Sequence, residues 1–482
     1  MKKIEFVAII FLFLLTFLLR LYKITSPVAD WHSWRQVDTS AVSRTFVENG
    51  YDILYPKYHD ISNIASGIDN PQGYRFVEFP LFNIVQALAY QLIGIFSLET
   101  WGRLISVIAS AMSAVFLFLI VKKYSDITTA FFSSFFYAVI PFNIYFGRVI
   151  LPDSSMISAV LGGIYFFDKW LEYKSKKQNR NRIYFFLSIV FIAGALLLKP
   201  YAVFFILPII YLAWMHFGNK FLLKWQFIFF CVLVGIPIVL WRVWIQQFPE
   251  GIPVSNWLFN KDNIRFKGAF FYYIFAERIG KLIFGYWGIG IFVLGLIRKL
   301  SPRKMAFFYT FLISALLYMF VIAGGNVQHD YYQIAIIPSL TIFLGLGTNF
   351  LLTNAKETNK YISNIVFIIF ALFMFAFGWY GVRGYYNYDA NLVKAGIAVD
   401  QLIPKDAKVI ALSSGVGDTT FLYYTGRKGW PSFQNPLPEM ILKGATHLIL
   451  LNPQERDYEF GMDYKIIAST KEYLIFDLHQ MP

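Results

Sequence analysis

The sequence predicts an α-helical polytopic membrane protein of about eleven transmembrane helices with a small C-terminal α/β domain. Three observations predict this. Of 482 residues, 57% are hydrophobic and 20% aromatic while only 15% are charged, a balance foreign to ordinary soluble domains. Apolar runs recur at lengths near the ~20 residues a helix needs to cross the hydrocarbon. Beyond Tyr380 the pattern shifts to short runs, KVIALSS, THLILLN, YKIIAST and YLIFDL, that read as strands, with helical periodicity at 389–403 and 436–443.

The opening MKKIEFVAIIFLFLLTFLLRLYKITSP carries an apolar core longer than the roughly 7–15 residues of a signal peptide. It is therefore expected to be an uncleaved first span. The spans fall at about 4–23, 101–121, 127–147, 154–170, 183–198, 201–218, 224–243, 283–298, 304–324, 332–353 and 360–382. Alternate connections are basic: MKK, the lysines at 122–123, KWLEYKSKKQNRNR, GNKFLLK, RKLSPRK and NAKETNK. The connections between them hold only Arg148, Lys199 and, in GGNVQHD, no Lys or Arg. The positive-inside rule then puts the N-terminus in the cytoplasm. It also explains the net charge of +14 without nucleic acid as a partner.

PLFNIVQALAYQLIGIF, 80–96, is apolar enough to cross, but a crossing there would reverse every later connection and destroy the charge bias. It is expected to lie at the outer interface as an amphipathic or re-entrant helix. The first outer loop then runs 24–100 and a second, aromatic and basic, runs 244–282. The expected organisation is a transmembrane domain over 1–382 and an extracytoplasmic α/β domain over 383–482. Cys231, alone in an apolar run, has no intrachain partner and reads as packing.

With this orientation the unusual polar residues gather on one side. Asp30, His32, Arg35, Gln36 and Asp38 lie in ADWHSWRQVDTSAVSR, and Arg148 and Asp153 in FGRVILPDSSM. Lys199 lies in LLLKPYAV, and His329, Asp330, Tyr331 and Tyr332 in GGNVQHDYYQ. Ionisable groups at membrane boundaries are costly unless paired or solvated, so such a gathering marks a site. Each residue also has a plain reading. Asp153 and Asp38 precede serine or threonine and could cap helices. Lys199 could snorkel, Trp31 and Trp34 could belong to an interface belt, and His329 could be a surface histidine.

Carboxylates with scattered cations at an outer interface suit one reaction class. A carboxylate takes a proton from an acceptor hydroxyl while cations hold a lipid-phosphate leaving group. Sugar transfer from a polyprenyl-phosphate donor needs those parts. It releases a phosphate monoester, so no cofactor is expected, although a divalent metal near the aspartates stays open.

At these residues the sequence resembles the GT-C superfamily of integral-membrane glycosyltransferases, in the branch of protein O-mannosyltransferases and the lipid A aminoarabinose transferase. LRLYKITSP, HSWRQVDTS, EFPLFNIVQALAYQLIG, WGRLISVIAS, GRVILPDSSM, LLLKPYAV and HDYYQIAIIP carry the resemblance, in order, from about residue 18 to 340. It implies a catalytic carboxylate in the first outer loop and a second acid after the third span. The second maps onto Asp153. The first falls on Asp38, which opens the apparent helix DTSAVSRTF, or on Asp30, because the usual Asp-Glu pair is absent. Lys199 and Arg148 are the implied phosphate partners, with Arg35, His32, His329 and Tyr332 as helpers. Glu78, in Glu78-Phe79-Pro80, stands near where relatives with another donor place lysine, which leaves the donor head group open.

The implied partners are a polyprenyl-phosphate sugar, a glycan, lipid or protein acceptor, and the bilayer, in a bacterial inner (plasma) membrane. SSGVGD at 413–418 reads as a β–α turn, and YYTGRKGW at 423–430 as a surface loop. Two rival functions are a lipid-sugar transporter, which would ask for internal repeats and mid-span charges, and a lipid-linked glycan polymerase or ligase, which would ask for arginine-rich outer loops.

Overall fold

A computed structural model of the protein describes residues 3–353, 359–413, 415 and 417–481. Its helices begin with α1 (Lys3–Leu19), α2 (Ser33–Asn49), α3 (Leu81–Ile93), α4 (Leu98–Tyr124) and α5 (Ile127–Val139). There follow α6 (Pro141–Phe146), α7 (Asp153–Ser175), α8 (Asn181–Leu198), α9 (Leu207–Phe217) and α10 (Trp225–Ile245). Further long helices cover Pro302–Val321, Ile337–Thr353 and Lys360–Val382.

Helix occupies every expected span, but several are short or broken. Among the described residues seven helices are long and apolar enough to cross a membrane. An eighth is added if Gly268–Ile283 and Gly288–Ile297, bent by 109°, make one span. α1 has 17 residues and α5 has 13, while α7, a continuous helix of 23 residues, carries Asp168 and Lys169 in its apolar stretch. The expected loop 244–282 is thus partly helical, and the segment 80–96 forms the separate 13-residue α3.

Two breaks follow from proline. A residue before proline is pushed out of the helical region. Ile140, before Pro141, has φ −59° and ψ 120°; Lys199, before Pro200, has φ −156° and ψ 119°. A broken helix leaves carbonyls without their usual donors, and at the first break Arg20 supplies them. Its buried guanidinium donates to the carbonyls of Thr16, Ala138, Tyr137 and Asn143 at 3.0–3.2 Å. Gly147 makes room for it: a Cβ there would lie 2.2 Å from Arg20 Nε and 2.6 Å from the Asn143 carbonyl.

The residues divide into two compact units. The helical unit holds Met1–Ile24, Arg103–Trp241 and Ser255–Gly384. The second holds Thr25–Gly102, Arg242–Val254 and Tyr385–Pro482. The expected division at 382–383 therefore moves slightly, and most of the first outer loop groups with the α/β segment.

The second unit is built on a five-stranded sheet of β1 (Lys408–Leu412), β2 (Lys428–Trp430), β3 (His447–Leu451), β4 (Lys465–Ser469) and β5 (Tyr473–Asp477). The order is β2-β1-β3-β5-β4, with β1 parallel to both β2 and β3, and β5 antiparallel to β3 and β4. Alternate side chains enter opposite faces. Val409, Ala411, Ile449 and Ile475 pack with Leu392, Val399 and Phe421; Ile410, Leu448, Leu450 and Phe476 pack with Ile61 and Met440. The strands read from sequence are present, and β2 is an addition. YYTGRKGW is consequently no surface loop: Tyr423, Arg427 and Trp430 are buried. β2 needs Gly429, where a Cβ would lie 1.8 Å from the Val409 carbonyl. The outer edge of β2 is sewn to the first-loop segment, with Gly429 N–H donating to His59 O and Ile61 N–H to Gly429 O, both at 3.0 Å. Part of SSGVGD lies outside the described residues, but its Asp418 caps the Thr419–Tyr424 helix by accepting from Thr420 N–H, as a β–α turn requires.

Candidate functional site

In the helical unit, Lys199 and Asp153 meet. Proline 200 ends α8 and leaves Lys199 extended, while Pro152 precedes Asp153 at the first position of α7. Lys199 Nζ lies 3.5 Å from Asp153 Oδ2, with side-chain exposures of only 5% and 6%. The capping reading of Asp153 is not met, since α7 has no side-chain cap hydrogen bond. Nor does Lys199 snorkel; it is buried.

Aromatic rings line the lysine. Its ammonium is 5.8 Å from the Tyr201 ring centre, a cation–π distance. The Tyr201 and Tyr332 hydroxyls are 3.5 Å apart, Tyr332 stacks on Tyr331, and His329 stacks on Tyr331 and meets the edge of Trp257. His329 is extended (φ −128°, ψ 124°) between two helical turns, so the run HDYYQ is presented by a second break. Tyr318 donates to the Tyr332 carbonyl at 3.2 Å. Arg148 is fully buried, donates to the Lys23 carbonyl at 2.9 Å, and lies 5.1 Å from the Tyr145 ring centre. A buried lysine faced by phenols can hold an oxyanion of a lipid phosphate, and a buried arginine can do the same.

In the second unit the two candidate acids have different surroundings. Asp38 does not open a helix. α2 begins at Ser33, so Asp38 lies inside it and caps nothing. Its Oδ1 accepts from Thr419 Oγ1 at 2.6 Å and its Oδ2 from Arg75 Nη2 at 2.7 Å. Arg75 in turn lies over the Tyr58 ring at 4.8 Å. Burial dominates the titration of the neighbours: it pushes His59 down to about 4 and Asp60 up to about 6, and it raises Asp418. This is a closed network in which both Asp38 oxygens are engaged.

Asp30 stands just ahead of α2. Its Oδ1 accepts from Gln36 Nε2 at 2.9 Å, and the same amide reaches the Trp31 carbonyl at 3.3 Å. Arg35 donates to Glu78 Oε1 at 2.7 Å, so Glu78 is the partner of a predicted helper. His32 holds a left-handed backbone (φ 54°) at the start of α2, with its ring 5.0 Å from that of Trp31.

The predicted residues are thus brought together in pairs and short chains. Asp153 joins Lys199, Arg35 joins Glu78, and Tyr332 joins His329 through Tyr331. Asp38 and Asp30 have separate partners. Reading the sequence missed Arg75, Tyr201, Tyr318 and Thr419. Tyr201 carried a signal, standing two residues from Lys199 across a proline. Thr419 carried none, being 381 positions from Asp38. Among the described residues no group of three His, Cys, Asp or Glu side chains is placed to hold a metal ion.

Residues 72–244 match the family described as dolichyl-phosphate-mannose-protein mannosyltransferase. A search of curated proteins returned no match. Among solved structures, the chain is similar to ArnT from Cupriavidus metallidurans bound to undecaprenyl phosphate, at 12% identity and a TM-score of 0.67, with 98% of each chain covered. It is also similar to the oligosaccharyltransferase AglB from Archaeoglobus fulgidus in complex with an inhibitory peptide and a dolichol-phosphate. There the identity is 11% and the TM-score 0.61, over 96% of this chain and 71% of that one. The chain is therefore a polytopic membrane protein with the fold of the GT-C glycosyltransferases, and its segment 72–244 is similar to the mannosyltransferase family.

Proposed function

We propose that this protein transfers a monosaccharide from a polyprenyl-phosphate donor to an acceptor hydroxyl on a glycan, lipid or protein, with inversion at the anomeric carbon. The observation that carries the reading is the buried Lys199, held by Asp153 and faced by Tyr201, in a fold similar to that of an enzyme crystallised with undecaprenyl phosphate. A buried lysine is costly unless an anion accompanies it, and a lipid phosphate supplies a second one. Lys199 and Arg148 would stabilise the phosphate as it leaves.

The acceptor oxygen forms a bond to the anomeric carbon as the bond from that carbon to the phosphate oxygen breaks. The acceptor proton passes to a carboxylate, and polyprenyl phosphate departs. Asp30 is read as the base, and Asp38, whose two oxygens are held by Arg75 and Thr419, as an anchor of the second unit. Asp153 orients Lys199. The lysine and arginine bias of the connections supports a cytoplasmic N-terminus and extracytoplasmic chemistry. The leaving group is a phosphate monoester without a nucleotide diphosphate, so turnover is expected to survive chelation of divalent ions.

The test is to incubate purified protein with a panel of undecaprenyl-phosphate monosaccharides and follow release of undecaprenyl phosphate. Release from at least one donor, lost on Lys199→Met, is expected. Release from none of them would overturn the reading.

A further inference from the structure

The segment around Asp30 is held from the far end of the chain. Residues 385–389 and 28–31 run side by side within the second unit. Trp31 N–H donates to the Tyr385 carbonyl and Asp389 N–H to the Ala29 carbonyl, each at 3.2 Å. These two bonds flank Asp30 directly. The Trp31 indole also stacks on the Tyr385 ring, with centres 4.9 Å apart and planes at 15°. Trp31 is 45% exposed, so this stack contributes to its placement where core enclosure is partial. One residue earlier, Val28 N–H donates to the Tyr424 hydroxyl at 2.7 Å, and Ala29 packs against the core cluster of the sheet.

The side chain of Asp30 is controlled by the same arrangement. Gln36 binds both the Asp30 carboxylate and the Trp31 carbonyl, so its amide is placed by the backbone that Tyr385 restrains. α2 is pinned in register by Thr420 Oγ1 to Ser33 Oγ at 2.9 Å and Tyr423 OH to Ser40 Oγ at 3.1 Å. Ser33, Gln36 and Ser40 stand on successive turns of the first half of α2, so restraint on either side of Gln36 sets its position.

We propose that Tyr385 is a positioning residue that holds the Asp30 carboxylate through Trp31 and Gln36, making base geometry dependent on the 385–389 strap. The proposal rests on the reading of Asp30 as the base. A carboxylate displaced by about 1 Å loses up to ~100-fold in rate, and removal of one flanking stack is expected to give a fraction of that.

The experiment compares wild type, Tyr385→Ala, Tyr385→Phe, Asp30→Asn and the Asp30→Asn/Tyr385→Ala double variant on the undecaprenyl-phosphate sugar that wild type turns over best. Amide exchange of the peptide covering 28–38 is followed in parallel. Tyr385→Ala should lower kcat about tenfold with an unchanged donor KM, and Tyr385→Phe, which keeps the ring, should restore it. In the Asp30→Asn background Tyr385→Ala should cost nothing further, and exchange over 28–38 should rise while β1–β5 stay protected. Wild-type kcat in Tyr385→Ala, multiplicative losses in the double variant, or unchanged exchange over 28–38 would each overturn the proposal. If wild type turns over no donor, the transferase reading falls, and exchange alone judges the strap.

Discussion

The Asp38 carboxylate and the Thr419 hydroxyl, 381 positions apart in the chain, meet at 2.6 Å inside the second unit. With Arg75 on the other oxygen at 2.7 Å, Asp38 joins α2, the first-loop segment and the Thr419–Tyr424 helix. Removing one partner of a buried ion pair strands the other, at about 3–5 kcal/mol.

Asp38→Ala is therefore expected to behave as a folding defect. Its melting temperature should fall sharply, with activity lost in proportion to folded protein. Asp30→Asn should melt like wild type yet turn over at least ~100-fold more slowly, the scale of general-base catalysis. Thermal unfolding in detergent beside initial rates on the same preparations separates the two. A stable, inactive Asp38→Asn with a fully active Asp30→Asn would return the base role to Asp38.

The Asp153–Lys199 pair gives a second contrast. Asp153→Ala leaves Lys199 with one fewer counter-charge in a buried place and should cost about 3 kcal/mol. Replacing both residues with apolar ones, Asp153→Leu with Lys199→Met, should recover much of that stability because neither charge is stranded. Activity should stay absent in the double variant, since the phosphate partner is gone. Melting curves and donor turnover on the three variants check this.

Gly147→Ala tests the Arg20 cradle. The added methyl would lie 2.2 Å from Arg20 Nε and 2.6 Å from a backbone carbonyl, so something in the α5–α6 break must move. Overpacking of this kind costs roughly 1–3 kcal/mol. The variant should lose thermal stability and yield, measured as the monodisperse fraction after extraction, while Gly194→Ala, with nothing within 4 Å, should not.

His59 sets a pH dependence. Burial holds it neutral until about pH 4, whereas in an unfolded chain it takes its proton near 6.5. Between those values the unfolded state binds more protons, so His59 makes stability fall as pH falls. Asp60, raised to about 6, binds its proton earlier when folded and acts in the opposite sense between about 3.9 and 6. His59→Gln removes only the first effect. Relative to wild type, the variant should gain stability on going from pH 7.5 to 5, read from paired unfolding midpoints. An equal shift in both proteins would contradict the assignment.

The expectations that succeeded concern local pattern. Apolar length located the helices and alternation located β1, β3, β4 and β5, whereas the break at Ile140, before Pro141, falls inside the expected span 127–147. β2 escaped because three residues, one of them glycine, show no period. Asp38 was misjudged for a related reason. DTSAVSRTF has the composition of a capped helix start, but α2 begins earlier, at Ser33, without a side-chain cap. YYTGRKGW looks like a loop by composition, yet Arg427 is buried among the carbonyls of Asp400, Ile403, Pro404 and Thr425. The first three of those acceptors lie at the end of the Ala390–Leu402 helix, more than twenty positions away, and composition holds no record of them.

By itself the sequence determined that this chain is a helical membrane protein with a small α/β segment, and it named the acids and cations available for chemistry. Hydrophobic length and charge bias are sums over neighbouring residues, so they can be read along the chain. Only the tertiary structure decided which donors reach each acid. A carboxylate's role depends on the donors within 3 Å of it, and here those donors come from Arg75, Thr419 and Gln36, set in place by folding and not by adjacency.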